Sequence, residues 1–174
     1  MVFTTPESGS ETFDCVEEIG FRDRGQFVVI ANYPPAPNGH VTKCTQTIPT
    51  SVAGGGSFSV SEDTLTIFSD WQKPYAIRAE PQLIEALRQD CLAQGLPERL
   101  AIGTRVRIAK NEYTVYPQSL YDRNEGCVTE IRAKTFAQGA NGETGYFLAY
   151  SVRFDDADVG VETLAFLHHE VTAV

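Results

Sequence analysis

Strict alternation of apolar and polar positions runs through much of this chain. Its clearest stretch is Tyr146, Leu148, Tyr150, Val152 and Phe154, five inward positions over nine residues. A period of two is the mark of a half-buried β-strand. Val106 and Ile108 alternate with Arg105 and Arg107 in the same way, which turns the apolar pair inward and the arginines outward. Earlier in the chain, residues 26–33 form a β-branched and aromatic run. A proline-rich turn follows at 34–39, and 40–48 alternates as a returning strand. Residues 58–60 and 65–68 predict a second hairpin, and 71–77 a further short strand. Asn141-Gly142 marks a tight turn ahead of the strand at 146–154.

One segment breaks the two-residue period. Leu83, Ile84, Leu87 and Cys91 recur at helical spacing between Pro81, which suits a first helical position, and Gly95, which suits the position just past a helix end. Pro97 blocks continuation. The chain therefore predicts a mainly β protein in four parts. Residues 1–12, rich in Thr, Ser, Glu, Gly and Pro, read as an extended tail. Residues 13–95 read as a unit of β-hairpins plus one helix, 96–102 as a hinge, and 103–174 as a small, strongly curved β domain closing on a terminal strand through His168 and His169. Ser51 to Ser57 reads as a loop.

Charge changes the picture in one respect. The net charge of −9 argues against wholesale binding to nucleic-acid phosphates. Residues 101–153 nevertheless carry seven bases and five acids, while 154–174 carry five acids and no base. The strands of the C-terminal domain are a basic island in an acidic chain. No apolar run is long enough to span a bilayer. The first residues lack the basic and apolar regions of a secretory signal, which predicts folding in the cytosol or an equivalent compartment. The four cysteines, Cys15, Cys44, Cys91 and Cys127, are widely spaced and read as thiols rather than as a disulfide framework.

Candidate chemistry is sparse. His40 and Cys44 share a strand face, but neither they nor Cys15 forms the closely spaced ligand pair that zinc sites use. Asp155, Asp156 and Asp158 before Gly160 lack the length and final acid of a calcium loop and read as an acidic turn. Gly54-Gly55-Gly56-Ser57 lacks the lysine of a phosphate-binding loop. No nucleophile signature is present, and no cofactor or metal is expected, so the chain reads as non-catalytic. Tyr113, Tyr116, Tyr121 and Arg123 crowd one segment of the C-terminal domain, a composition favoured at protein interfaces.

Four pieces of the C-terminal domain occur in an order that resembles one family. They are Gly103, Arg105, Val106, Arg107, Ile108, Lys110 and Glu112; then Gly126 and Val128; then Val152, Arg153, Phe154 and Asp155; then Phe166, Glu170 and Val171. The series resembles subunit IV (the E subunit) of photosystem I, whose fold is a small SH3-like barrel. The resemblance implies a non-catalytic accessory subunit, peripheral on the cytosolic or stromal side of a thylakoid membrane, that stabilises its complex and helps ferredoxin or flavodoxin dock. It also implies partner-binding roles for Arg153 first, with Arg105, Arg107, Arg132 and Lys134 in support. A protein-binding assembly module, such as a scaffold or virion component, is the alternative reading of the same barrel.

Overall fold

The computed structural model describes residues 1–22, 25–109, 125–154 and 163–174, and the fold is mainly β. It divides into two compact units. One holds Met1–Val52 and Gly56–Glu98; the other holds Ala53–Gly55 and Arg99–Val174.

Residues 1–12 are not a tail but a hairpin of β1 (Val2–Thr5) and β2 (Gly9–Thr12). Phe3 is fully buried, its ring 6.3 Å from that of Tyr75 and 6.5 Å from that of Phe13. The polar composition that suggests a tail belongs to the solvent side of these strands, and one inward phenylalanine is enough to seat them. β3 (Cys15–Arg22) is also absent from the sequence reading. A bulge between Val16 and Glu18 breaks its period. β4 (Gln26–Asn32) and β5 (Lys43–Pro49) pair as expected, and so do β6 (Ser57–Ser61) and β7 (Thr64–Phe68). β8 is Pro74–Arg78.

The strands form two antiparallel sheets, of order β2-β1-β8-β7-β6 and β3-β4-β5. Phe3, Phe27, Val29, Ile48, Phe58, Leu65, Ile67 and Ile77 share one core with Ile84, Leu87 and Cys91 of the helix α1 (Pro81–Ala93). α1 starts at its proline and stops at Gly95, whose φ of 75° closes the end without a Cβ clash.

Residues 96–102, expected as a hinge, are anchored at both ends. Leu96 is buried in the first unit, its N–H bonded to the Cys91 carbonyl at 3.1 Å. Leu100 packs on the core of the second unit and donates its N–H to the Tyr150 hydroxyl at 3.1 Å. Ala53–Gly55 falls outside the expected 13–95 boundary because it lies along the second unit's sheet. The Tyr146 N–H donates to the Ala53 carbonyl at 2.9 Å.

In the second unit, β9 (Arg105–Ile108), β10 (Glu125–Gln138), β11 (Thr144–Phe154), β12 (Leu164–Leu167) and β13 (Val171–Ala173) form one antiparallel sheet of order β12-β11-β10-β9-β13. The last strand thus returns beside the first. Among the described residues no ladder joins β12 to β13. The expected continuous terminal strand is interrupted by one turn of 3-10 helix, His168–Glu170. Its cause is local: the Glu170 carboxylate accepts the Leu167 N–H at 2.8 Å and folds the chain back on itself. Val106, Ile108, Val128, Leu148, Tyr150, Val152, Phe154, Phe166 and Val171 make the core.

Burial shifts the titration of groups in both units. Burial pushes the Cys91 thiol from its ordinary 9.0 up to about 12, and the Cys44 thiol and the Tyr75 phenol are shifted the same way. Each of these groups favours the folded state while protonated, so its contribution is whole below its ordinary pKa and is lost as pH rises through the folded value. In the second unit the Tyr150 phenol is likewise pushed up to about 12, but burial pulls the Arg99 guanidinium down to about 10. The cost of burying the Arg99 charge is relieved over the same alkaline range, offsetting Tyr150. Between pH 9 and 12 the first unit is expected to lose stability earlier and more steeply, read by hydrogen exchange against pH. A Cys91→Ala variant flattens that slope; an unchanged slope counts against the assignment.

Candidate docking face

The alternation of β9 puts Val106 and Ile108 in the core and leaves Arg105 and Arg107 exposed. Register decides who stands beside them. Arg105 lies opposite Cys127 on β10, and Cys127 lies opposite Arg153 on β11. Three strands therefore place a thiol between two guanidinium side chains in one row of the outer face. In the next row Arg107 lies opposite Glu125.

Glu125 partly neutralises this surface. Its carboxylate accepts from the Arg107 Nη2 at 2.7 Å and from the Arg105 Nη2 at 3.5 Å. The Arg107 hydrogen bond, with the Arg107 charge and Arg105 behind it, holds the Glu125 carboxyl below the usual carboxylate range. These groups are well exposed, where such pairs contribute little to stability and exchange readily for a partner's carboxylate. Arg153 is exposed and has no ion pair among the described residues.

Arg132 joins the same face by a different route. It lies opposite Ala149 and donates from Nε to the Ser151 hydroxyl at 2.9 Å, and that hydroxyl donates to Glu130 at 2.8 Å. Lys134 is not part of this face. Its Nζ sits 4.7 Å from the centre of the Tyr146 ring, on the other side of the β10–β11 ribbon. Of the five expected cations, four share one surface and the fifth is turned away. Tyr113, Tyr116, Tyr121 and Arg123 lie outside the described residues, as do Asp155, Asp156 and Asp158.

The same ribbon carries Phe136, which sequence reasoning passed over, and Tyr146, which it placed inward but which is exposed. Phe136 and Tyr146 are cross-strand partners, 66% and 45% exposed, with ring centroids 5.2 Å apart. Tyr146 continues the inward period of β11, but β10–β11 runs on past the other strands, so its ring emerges from the core. Counting outward from Asn141-Gly142 as a two-residue turn would pair Tyr146 with Ala137; the Gly139 N–H bonds the Glu143 carbonyl at 2.7 Å and Gly142 has a φ of 82°, so the loop holds three residues and sets Phe136 opposite Tyr146 instead.

A second polar cluster is structural. The Tyr150 hydroxyl, fully buried, accepts the Leu100 N–H and contacts the His168 Nδ1 at 3.0 Å. The direction of the Tyr150–His168 hydrogen bond follows the imidazole tautomer, because the phenol can both donate and accept. Among the described residues no three His, Cys, Asp or Glu side chains are grouped to hold a metal ion, and no helix is long and apolar enough to cross a membrane.

No protein-family model, no curated protein and no solved structure matches this chain.

Proposed function

We propose that the chain is a non-catalytic docking subunit whose C-terminal unit binds an acidic protein through the outer face of β9, β10 and β11. The observation that carries this reading is the row Arg105–Cys127–Arg153, with Arg153 exposed and unneutralised among the described residues. A cluster of cations on a rigid sheet raises the encounter rate with an oppositely charged partner and fixes its orientation. The sheet order β12-β11-β10-β9-β13, with a helical turn before the returning strand, supports the SH3-like reading of this unit. The sequence resemblance then names the partner: ferredoxin, or flavodoxin, at the cytosolic or stromal side of photosystem I.

The experiment is a titration of ferredoxin onto the protein at several salt concentrations, alongside a pull-down of photosystem I. Arg153→Glu is expected to slow association about tenfold or more at low ionic strength, with the difference shrinking as salt screens the charges. Arg153 is exposed, so circular dichroism should not change. Ferredoxin that stays unbound at low salt, or binding indifferent to Arg153→Glu, removes this reading.

A further inference from the structure

The rings of Phe136 and Tyr146 stand edge to face on the β10–β11 ribbon, with an interplanar angle of 64°, and the Lys134 Nζ lies over one face of the Tyr146 ring, leaving Phe136 and the other face of Tyr146 to a partner. Exposed aromatic pairs beside a hydrogen-bond donor are the surface that proline-rich segments recognise. Proline rings pack on aromatic faces, and their carbonyls, strong acceptors without a competing N–H, take the donors.

The chain carries such a segment. Pro34-Pro35-Ala36-Pro37 forms the loop between β4 and β5, and all four residues are exposed. Each proline fixes its own φ and pushes the residue before it into extended geometry, so Tyr33, Pro34 and Ala36 are preset. The loop is also tied at its base. The Tyr33 N–H donates to the Thr42 carbonyl at 2.9 Å, Ala36 to His40 at 2.9 Å and Gly39 to Ala36 at 2.7 Å. A segment held this way loses little further entropy on binding. Residues 33–42 contain no Asp, Glu, Lys or Arg, so nothing in the loop repels Lys134.

We infer that the protein associates with further copies of itself, the Pro34–Pro37 loop of one chain lying across Phe136 and Tyr146 of the next. The two surfaces differ, so the contact is heterologous: each copy offers one loop and one ring pair, and association runs head to tail into a ring or an open chain. The ring pair is on the opposite side of the ribbon from Arg132 and Arg153, because β11 alternates regularly from Arg153 to Tyr146. The inference goes beyond the docking reading, and either stands if the other fails.

Sedimentation of the full chain over a wide concentration range tests it. The mass-average is expected to rise with concentration. Two variants, Phe136→Ala/Tyr146→Ala and Pro34→Ala/Pro35→Ala/Pro37→Ala, should each weaken association about thirty-fold or more while keeping the circular dichroism of the parent. Mixing the two is the decisive arm. One supplies an intact loop and the other an intact ring pair, so the mixture forms dimers and nothing larger. Arg153→Glu leaves association unchanged. A chain that is monomeric at every concentration overturns the inference. So does loss of association in only one of the two variants, which points to a different occupant of the rings, and so does a mixture that stays monomeric.

Discussion

Replacing Phe3 by alanine is expected to destabilise the N-terminal unit by about 3–5 kcal/mol, the cost of deleting a buried aromatic ring and leaving a cavity behind. Phe3 is fully buried in a sheet whose order places β1 between β2 and β8, so this is an interior strand and not a fringe. Its neighbours Phe13 and Tyr75 cannot close the gap without moving strands that other pairs hold in register. Removing residues 1–12 should do more: the open edge of β8 would face solvent, and cooperative unfolding of this unit should disappear from a urea titration. A tail would give the opposite result, with both variants within about 0.5 kcal/mol of the parent. That outcome would refute the hairpin.

The second large effect belongs to Gly126. A Cβ at this position would lie 2.5 Å from the Arg153 carbonyl oxygen and 2.8 Å from a Val152 methyl. The first obstacle is backbone of the paired strand and cannot rotate away. Gly126→Val is therefore expected to cost about 3 kcal/mol or more by forcing β10 away from β11. The loss should be seen as faster amide exchange across Val128, Tyr150 and Val152, with the N-terminal unit unaffected. Because Gly126 is opposite Phe154 and directly precedes Cys127, the same change displaces Arg153 from Arg105 and should weaken acidic-partner binding as well. A variant with parental exchange rates would mean that the two strands are not in contact here.

These two residues mark where reading a sequence succeeds and where it stops. The alternation of Val106 and Ile108 with Arg105 and Arg107 tells a reader which way the arginines point, because side-chain direction in a strand follows from backbone geometry alone. The same is true of β7, and of α1, whose proline, glycine and apolar spacing agree; in β4 and in the middle of β11 consecutive residues, 27–29 and 147–152, are buried, so their alternation is not one of buried against exposed. Where one local signal contradicted another, the reading failed. Composition outvoted a single phenylalanine at residues 1–12. The bulge in β3 hid its period. The carboxylate of Glu170, turning the chain for one helical step, split a strand that the apolar spacing ran together.

The arginine face shows the limit most clearly. That Arg105 and Arg153 are outward was legible; that Cys127 stands between them was not, since nothing local specifies which strand pairs with which or in what register. The same holds for Phe136 and Tyr146, exposed only because their ribbon extends beyond the strands that would have covered them. The amino-acid order alone determined the β class, the helix and its ends, the direction of each regular side chain and the basic character of the C-terminal strands, all of which depend on neighbours within a few residues. Only tertiary structure decided that the first residues are an interior strand, that Ala53–Gly55 joins the second unit and that distant cations share a surface, because strand register is chosen by burial summed over whole sheets.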